Sequence, residues 1–273
     1  YSSPQYIGFQ TDFEEKYIDV LVRNGYTVAV YIQTTKGGNG SGENTFNKEN
    51  GIRVLRNIIS PSTYIDSTLE YSAASKNIIA LYIEGMTAKS ELEKFQFVCG
   101  CAIIDVSTGE TLISELSNGS KGATDKKIID DTHRVFSIFK PLEVIIYHDS
   151  LKFNTDPSIF FKNYIGNLFP IEKCVVSQLP KKYIEESHQT LILNKSYSCA
   201  LFFNIFDFLG ITRFHFGTIA LTTLIDYLSG QRDFLIKNLK MPKIYDSQNR
   251  LILENDALYQ LSIISKNENA KSL

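Results

Sequence analysis

The residues of this sequence that could do chemistry are its histidines, its cysteines and one aspartate at the end of an apolar run. His133, His148, His188 and His215 are widely separated, and none has a Ser or Cys nucleophile elbow beside it. A hydrolytic triad needs nucleophile, base and orienting acid within hydrogen-bond reach. Surface positions or satisfied core positions are therefore expected for these histidines. Cys99 and Cys101 flank Gly100, and on a strand their side chains share one face. No second Cys or His pair follows at zinc spacing, so they read, with Cys174 and Cys199, as free thiols. Asp105 ends the run Ala102-Ile-Ile-Asp105. A two-metal nuclease holds its ions on converging carboxylates, and Glu110, Glu143, Asp130 and Asp131 are the neighbouring candidates. Asp105 also leads into Ser107-Thr-Gly-Glu110, where its oxygens could cap turn amides instead. The turn role is the expected one.

Phosphate chemistry has weaker candidates. Lys36-Gly-Gly-Asn-Gly-Ser-Gly-Glu43 is rich in glycine but lacks the Gly-Lys-Ser/Thr ending, and no helical pattern follows. A flexible loop is expected there. Basic residues cluster only at Lys121/Lys126/Lys127, Lys181/Lys182 and Arg53/Arg56. In an extended strand Arg53 and Arg56 point to opposite faces and make no single patch. With 28 basic and 30 acidic residues the formal charge is −2, so no bulk field favours nucleic acid.

The elements that must position these residues follow from periodicity. The chain has 273 residues, 43% hydrophobic and 21% charged, which excludes a disordered or fibrous protein. Thr11-Asp-Phe-Glu14 reads as a capping box. Phe13, Tyr17, Val20 and Leu21 follow at helical spacing, and Gly25 closes the helix in the left-handed conformation. Tyr26–Gln33 and Val54–Ile59 are strands, the second stopped by Ser60-Pro61. From about Lys76 a second unit begins. Strands are expected at Ile78–Glu84, Phe95–Val106, Thr111–Leu116, Val144–Tyr147 and Cys174–Val176, with helices at Asp125–Phe139 and Ser158–Phe169. From Gly217 helices dominate, over Thr218–Ser229 and Asn255–Ile264. The apolar window Ser198–Leu209 spans about half a bilayer and carries Asn204 and Asp207, so it reads as a buried helix. No signal peptide opens the chain, and free thiols suit a reducing compartment, so an intracellular location is expected. Tyr1-Ser2-Ser3-Pro4 reads as mid-domain sequence, as in a portion of a longer protein.

The order of these pieces resembles the N-terminal part of the MutS family of DNA mismatch-recognition ATPases. Ile7–Gln33 resembles, without gaps, the family's run that ends in its Cys-Glu-Gln. Ser60-Pro-Ser-Thr63 sits where the family has Thr-Pro-Gly-Thr, and Ile103-Ile-Asp-Val-Ser-Thr-Gly-Glu110 resembles its connector-domain turn. Phe139-Lys-Pro-Leu-Glu-Val-Ile-Ile-Tyr147, Thr218–Gln231 and Leu251–Leu261 resemble three further strings in the family's order. There are departures. Gln10 and Asp12 replace the family's Pro and His, Tyr31-Ile32-Gln33 its Cys-Glu-Gln, Asn57 an Arg, and Gln260-Leu261-Ser262 its Asn-Leu-Glu. Phe13-Glu14-Glu15 is not the family's Phe-x-Glu wedge, which lies upstream of the matched run.

The resemblance implies an α/β chain in three parts. Residues 1–70 would be the C-terminal part of a mismatch-recognition domain, 76–210 an RNase H-like α/β connector domain, and 211–273 the start of an α-helical lever and core. It implies a non-catalytic, DNA-recognising and coupling region of a DNA mismatch repair protein, with ATP and Mg²⁺ bound elsewhere in the parent and no cofactor in this region. The implied partners are double-stranded DNA with mismatches or small loops, a second MutS-type subunit, and a downstream repair factor on the connector. Lys48, Arg53 and Arg56 are the candidate DNA contacts, while Gly8, Gly25, Pro61, Asp105 and Gly109 are structural motif positions. In such proteins a wedging side chain reads the ease of kinking a mismatched step rather than its sequence. Two other readings stay open on the residues alone: a metal-dependent RNase H-like nuclease centred on Asp105, and a protein-interaction module that does not bind DNA.

Overall fold

A 3-10 turn, Thr11–Phe13, leads into helix α1 (Glu14–Arg23) in the computed structural model of the chain. The structure describes residues 8–35, 51–64, 75–86, 96–117, 126–149, 165–166, 169–170, 174–197, 204–231 and 234–245. The chain divides into two units, Tyr1–Lys243 and Ile244–Leu273. The second lies almost wholly outside the described residues. So do Lys48, the glycine-rich loop, Cys199 and the expected helix Asn255–Ile264, together with most of the expected helix Ser158–Phe169.

The expected capping box does not form. Phe13 rather than Thr11 is the N-cap residue of α1, and no side chain caps the helix start. The amide of Phe13 instead bonds the Gln10 carbonyl at 3.0 Å, which tightens the entry into a 3-10 turn. The C-terminus does follow expectation. Gly25 has φ +85°, and its amide returns to the Val22 carbonyl.

Strands β1 (Val28–Thr35) and β2 (Gly51–Ile59) pair antiparallel. Ile18 and Val22 of α1 pack with Ile59 and the partly buried Val28 and Val30. Phe13, Tyr17, Val20 and Leu21, the expected apolar stripe, are exposed instead. A two-stranded hairpin offers only a narrow apolar face, enough to cover one row of the helix. The register slips at Val30/Tyr31, where β2 carries one extra residue, Arg56, between Leu55 and Asn57.

The larger sheet has six strands in the order β7-β6-β3-β4-β5-β8. Strands β3 (Asn77–Met86), β4 (Gln96–Asp105) and β5 (Thr111–Ser117) form an antiparallel meander. Strand β6 (Glu143–His148) adds parallel to β3, and β7 (Cys174–Gln178) parallel to β6. The last strand, β8 (Lys243–Ile244), is two residues long. Helix α2 (Lys126–Phe139) makes the β5-to-β6 crossover. After β7 come a 3-10 turn (Lys181–Ile184) and helices α3 (Glu186–Ser196), α4 (Ile205–Leu209), α5 (His215–Gln231) and α6 (Phe234–Lys237).

The strands around β3 are apolar on both faces because both are covered. Ile78, Ala80, Tyr82, Ala102, Ile104, Ile113 and Ile145 pack with α3, α4 and α5. The alternate residues Ile79, Leu81, Ile83, Cys99 and Cys101 are fully buried on the opposite face. Helix α2 adds Ile128, Val135 and Phe136, none of them in the α5-side cluster. Helix α5, expected to open a helical region, lies across β3, β4 and β5 and is buried nearly all round. Helix α3 has no counterpart in the sequence expectations: only Gln189, Ile192 and Leu193 are buried, too few for a clear helical period. No described helix is long and apolar enough to cross a membrane.

Candidate functional site

The residues expected to do chemistry do not come together. Asp105 closes β4 and is occupied by its own turn. One carboxylate oxygen accepts from the Ser107 amide (2.9 Å), the Ser107 hydroxyl (2.6 Å) and the Lys76 amide (3.1 Å). The other accepts from the Thr108 hydroxyl at 3.0 Å. Burial opposes its charge, but the hydrogen bonds from Ser107, Lys76 and Thr108 outweigh that and hold the carboxyl below its ordinary pKa. The neighbouring acids go elsewhere: Glu110 lies within 4 Å of Lys240 and Lys243, and Asp131 pairs with Arg134. No group of three metal-capable side chains occurs among the described residues. Gly109 completes the turn at φ +72°, and a Cβ there would meet the Asn238 carbonyl oxygen at 2.2 Å.

Cys99 and Cys101 are free and fully buried, as expected. Burial pushes both thiols up, Cys101 to about 12, which leaves them un-ionised and unreactive. His148 is buried on β6 and desolvation lowers its pKa, while His215 opens α5 at the surface.

Of the candidate DNA contacts, Arg53 and Arg56 are both exposed. Arg53 shares a strand face with the exposed Tyr31 and Leu55. Arg56, the bulged residue, reaches the α1 side and lies 3.6 Å from Glu14. Opposite faces were expected from strand alternation, and the ion pair with Glu14 places Arg56 on the side away from Arg53. Gly8 has open space around it, and Pro61 sits in the turn that ends β2.

That turn leads to a cluster of side chains that no chemical motif announced. Ser60, Ser62 and Thr63 are almost wholly buried. The Thr63 hydroxyl accepts the Ser60 amide at 2.9 Å, and the Ser60 hydroxyl donates to Glu143 Oε2, also at 2.9 Å. The Ser62 hydroxyl donates to the same oxygen, and the Tyr227 hydroxyl to Glu143 Oε1. The side-chain oxygen of Gln231, one helical turn beyond Tyr227, lies 3.4 Å from the Ser60 hydroxyl. Burial and the Glu143 charge together push the Tyr227 phenol up, so it stays a donor. One carboxylate at the start of β6 thus joins the end of β2 to α5. Glu143 is half-buried, and hydroxyls from two distant segments satisfy the lone pairs that it turns inward. Three of the strings that carry the family resemblance, Ser60–Thr63, Phe139–Tyr147 and Thr218–Gln231, meet at this point.

Comparison with known proteins agrees with the direction of that resemblance. A putative DNA mismatch repair protein mutS homolog of Acanthamoeba polyphaga mimivirus is 25% identical over 97% of this chain and 24% of its own length. The DNA mismatch repair protein MutS of Alkaliphilus oremlandii is 25% identical over 87% of the chain and 23% of its own length. The MutS of Caldanaerobacter subterraneus subsp. tengcongensis is 23% identical over 93% of the chain and 24% of its own length. These relatives support a MutS-family relationship. The chain spans about a quarter of the length of the curated relatives it matches. No protein-family profile matches it.

Proposed function

We propose that this chain is the DNA-recognition and connector region of a MutS-like mismatch or damage sensor. The region does no bond chemistry of its own. It holds a small α/β element, α1 with β1 and β2, against a larger α/β unit, so that strain from a bent duplex is passed to an ATPase elsewhere in the parent protein. ATP and Mg²⁺ act there. A second MutS-type subunit and a repair factor docked on the larger unit complete the assembly.

The observation that carries this reading is the sheet order. A three-stranded antiparallel meander, β3-β4-β5, is extended on its first strand by parallel β6 and then β7. That order supports the RNase H-like arrangement that the resemblance implies for the connector. No group of three metal-capable side chains lies at its ends among the described residues. Asp105, the residue on which the nuclease reading rests, spends its oxygens on the turn it begins.

The test is anisotropy of labelled duplexes, one with a single-nucleotide loop and one fully paired, against the protein that carries this chain. Preference for the looped duplex is expected. Arg53→Ala and Lys48→Ala should weaken binding to both duplexes alike and lower the salt slope by about one each, as loss of a phosphate contact does. Absence of binding to either duplex at low salt removes the proposal.

A further inference from the structure

The α1–β1–β2 element carries little apolar core of its own. Among the described residues its cluster holds Ile18, Val22 and Ile59 as buried members, and it shares no residue with the cluster on the α5 side of the large sheet. The turn Ser60–Thr63 stands between the two clusters and is buried, yet three of its four side chains are hydroxyls. The orientation of the small element against the sheet is therefore set by directional polar bonds. We infer that Ser60, Ser62 and Thr63 with Glu143, Tyr227 and Gln231 form a polar latch, a conformational device that fixes the α1–β1–β2 element in one orientation and, on release, loosens it without unfolding the large sheet.

The physical case rests on what opening costs. Pulling apart an apolar interface exposes carbon surface that water cannot compensate. Pulling apart this turn frees hydroxyls and a carboxylate, each of which water can bond in place of the lost partner. The closed geometry is nonetheless specific. Ser60 and Ser62 converge on one oxygen of Glu143 while Tyr227 takes the other, so only one placement of the turn satisfies all three donors. Glu143 is the positioning residue, because it touches both moving parts from the first position of β6. A second, looser link lies beside it. The Lys76 ammonium donates to the Tyr64 carbonyl and sits 5.9 Å from the centroid of that ring, while the Lys76 amide is held by Asp105. A long, flexible side chain of this kind works as a leash that limits travel once the latch opens.

The latch needs no DNA, and it is tested without any, so its outcome is separate from that of the binding reading. Hydrogen exchange read by mass spectrometry on the full chain compares the parent with Glu143→Ala, Glu143→Gln, Ser62→Ala and Tyr227→Phe. Peptides from α1, β1 and β2 should exchange roughly tenfold faster or more in Glu143→Ala, with those from β3, β4 and α5 within about twofold of the parent. Ser62→Ala and Tyr227→Phe each remove one donor with little change in volume, and should give the same pattern in weaker form. They decide the matter if Glu143→Ala fails to fold. Glu143→Gln keeps an acceptor oxygen and should fall between. Acceleration shared equally by the large sheet and α5 would overturn the latch, since Glu143 would then be ordinary scaffolding. Unchanged exchange in the small element in every variant would overturn it as well.

Discussion

The carbonyl of Phe216 fills the space in which residue 100 would carry a side chain: a Cβ built on Gly100 would stand 2.1 Å from that oxygen. Helix α5 thus touches β4 backbone to backbone at its first turn, beside Tyr82, whose ring stacks on that of Phe216 at 6.1 Å. Gly100→Ala forces the helix off the sheet and should cost about 1–3 kcal/mol or more, in the range of an overpacked core. Gly8→Ala, where nothing lies within 4 Å, is the control and should stay within about 0.5 kcal/mol. Urea midpoints of the two variants check the contrast.

Helix α5 is capped from outside its own sequence. Glu115 on β5 accepts the amides of Phe216 (2.6 Å) and Gly217 (3.1 Å), placing a negative charge at the positive end of the helix dipole. Glu115→Ala should lose about 1–2 kcal/mol, as loss of an N-cap does. Glu115→Gln, which keeps an acceptor, should lose less. Equal losses for the two would show that the charge of Glu115 matters and its acceptor oxygen alone does not.

Asp105 gives the fold a dependence on acid. A carboxyl whose folded pKa lies below its unfolded value stabilises the folded state at pH above the unfolded value, and that contribution disappears as pH falls through the folded value. For Asp105 the contribution is complete above its ordinary 3.8 and declines below it. Asp105→Asn should therefore be less stable than the parent by about 1–3 kcal/mol at pH 7, with the gap narrowing below pH 4. Denaturation midpoints at pH 7 and pH 3 test this, and a gap of constant size at both would show that the charge is not what holds the turn.

Gly25→Val should destabilise the small element by roughly 1–2 kcal/mol or more, because a β-branched residue is strained at φ +85°. Nothing lies within 4 Å of a Cβ at Gly25, so the strain is in the backbone alone. Gly25→Asn, which tolerates the left-handed region better, should recover part of the loss. Melting temperatures of both variants provide the readout, and an unchanged value for Val removes the strain argument.

Most readings that depended on neighbours in sequence held, the capping box at Thr11–Glu14 excepted. Gly25 closes its helix, Asp105 caps the Ser107-Thr-Gly turn, and the apolar runs around β3, β4 and β6 are strands, because each follows from local dihedral preference or a repeat of side-chain burial. Six strings in one order pointed to the family. The sequence could not show which apolar stripe would find cover. Phe13, Tyr17, Val20 and Leu21 look like the buried face of α1, but a two-stranded hairpin covers Ile18 and Val22 instead. It also could not show that α5 belongs against the sheet, since a helix apolar on every side names no partner.

What the chain settled by itself is therefore most of the strands, the helices α1, α2 and α5, and the tight turns at Gly25 and Asp105, which are decided within a few residues. What only the folded molecule decided is the meeting of Ser60 and Ser62 with Glu143 and Tyr227, residues more than eighty positions apart. A hydroxyl in a sequence reads as surface, and only the three-dimensional convergence of donors on one carboxylate makes its burial affordable.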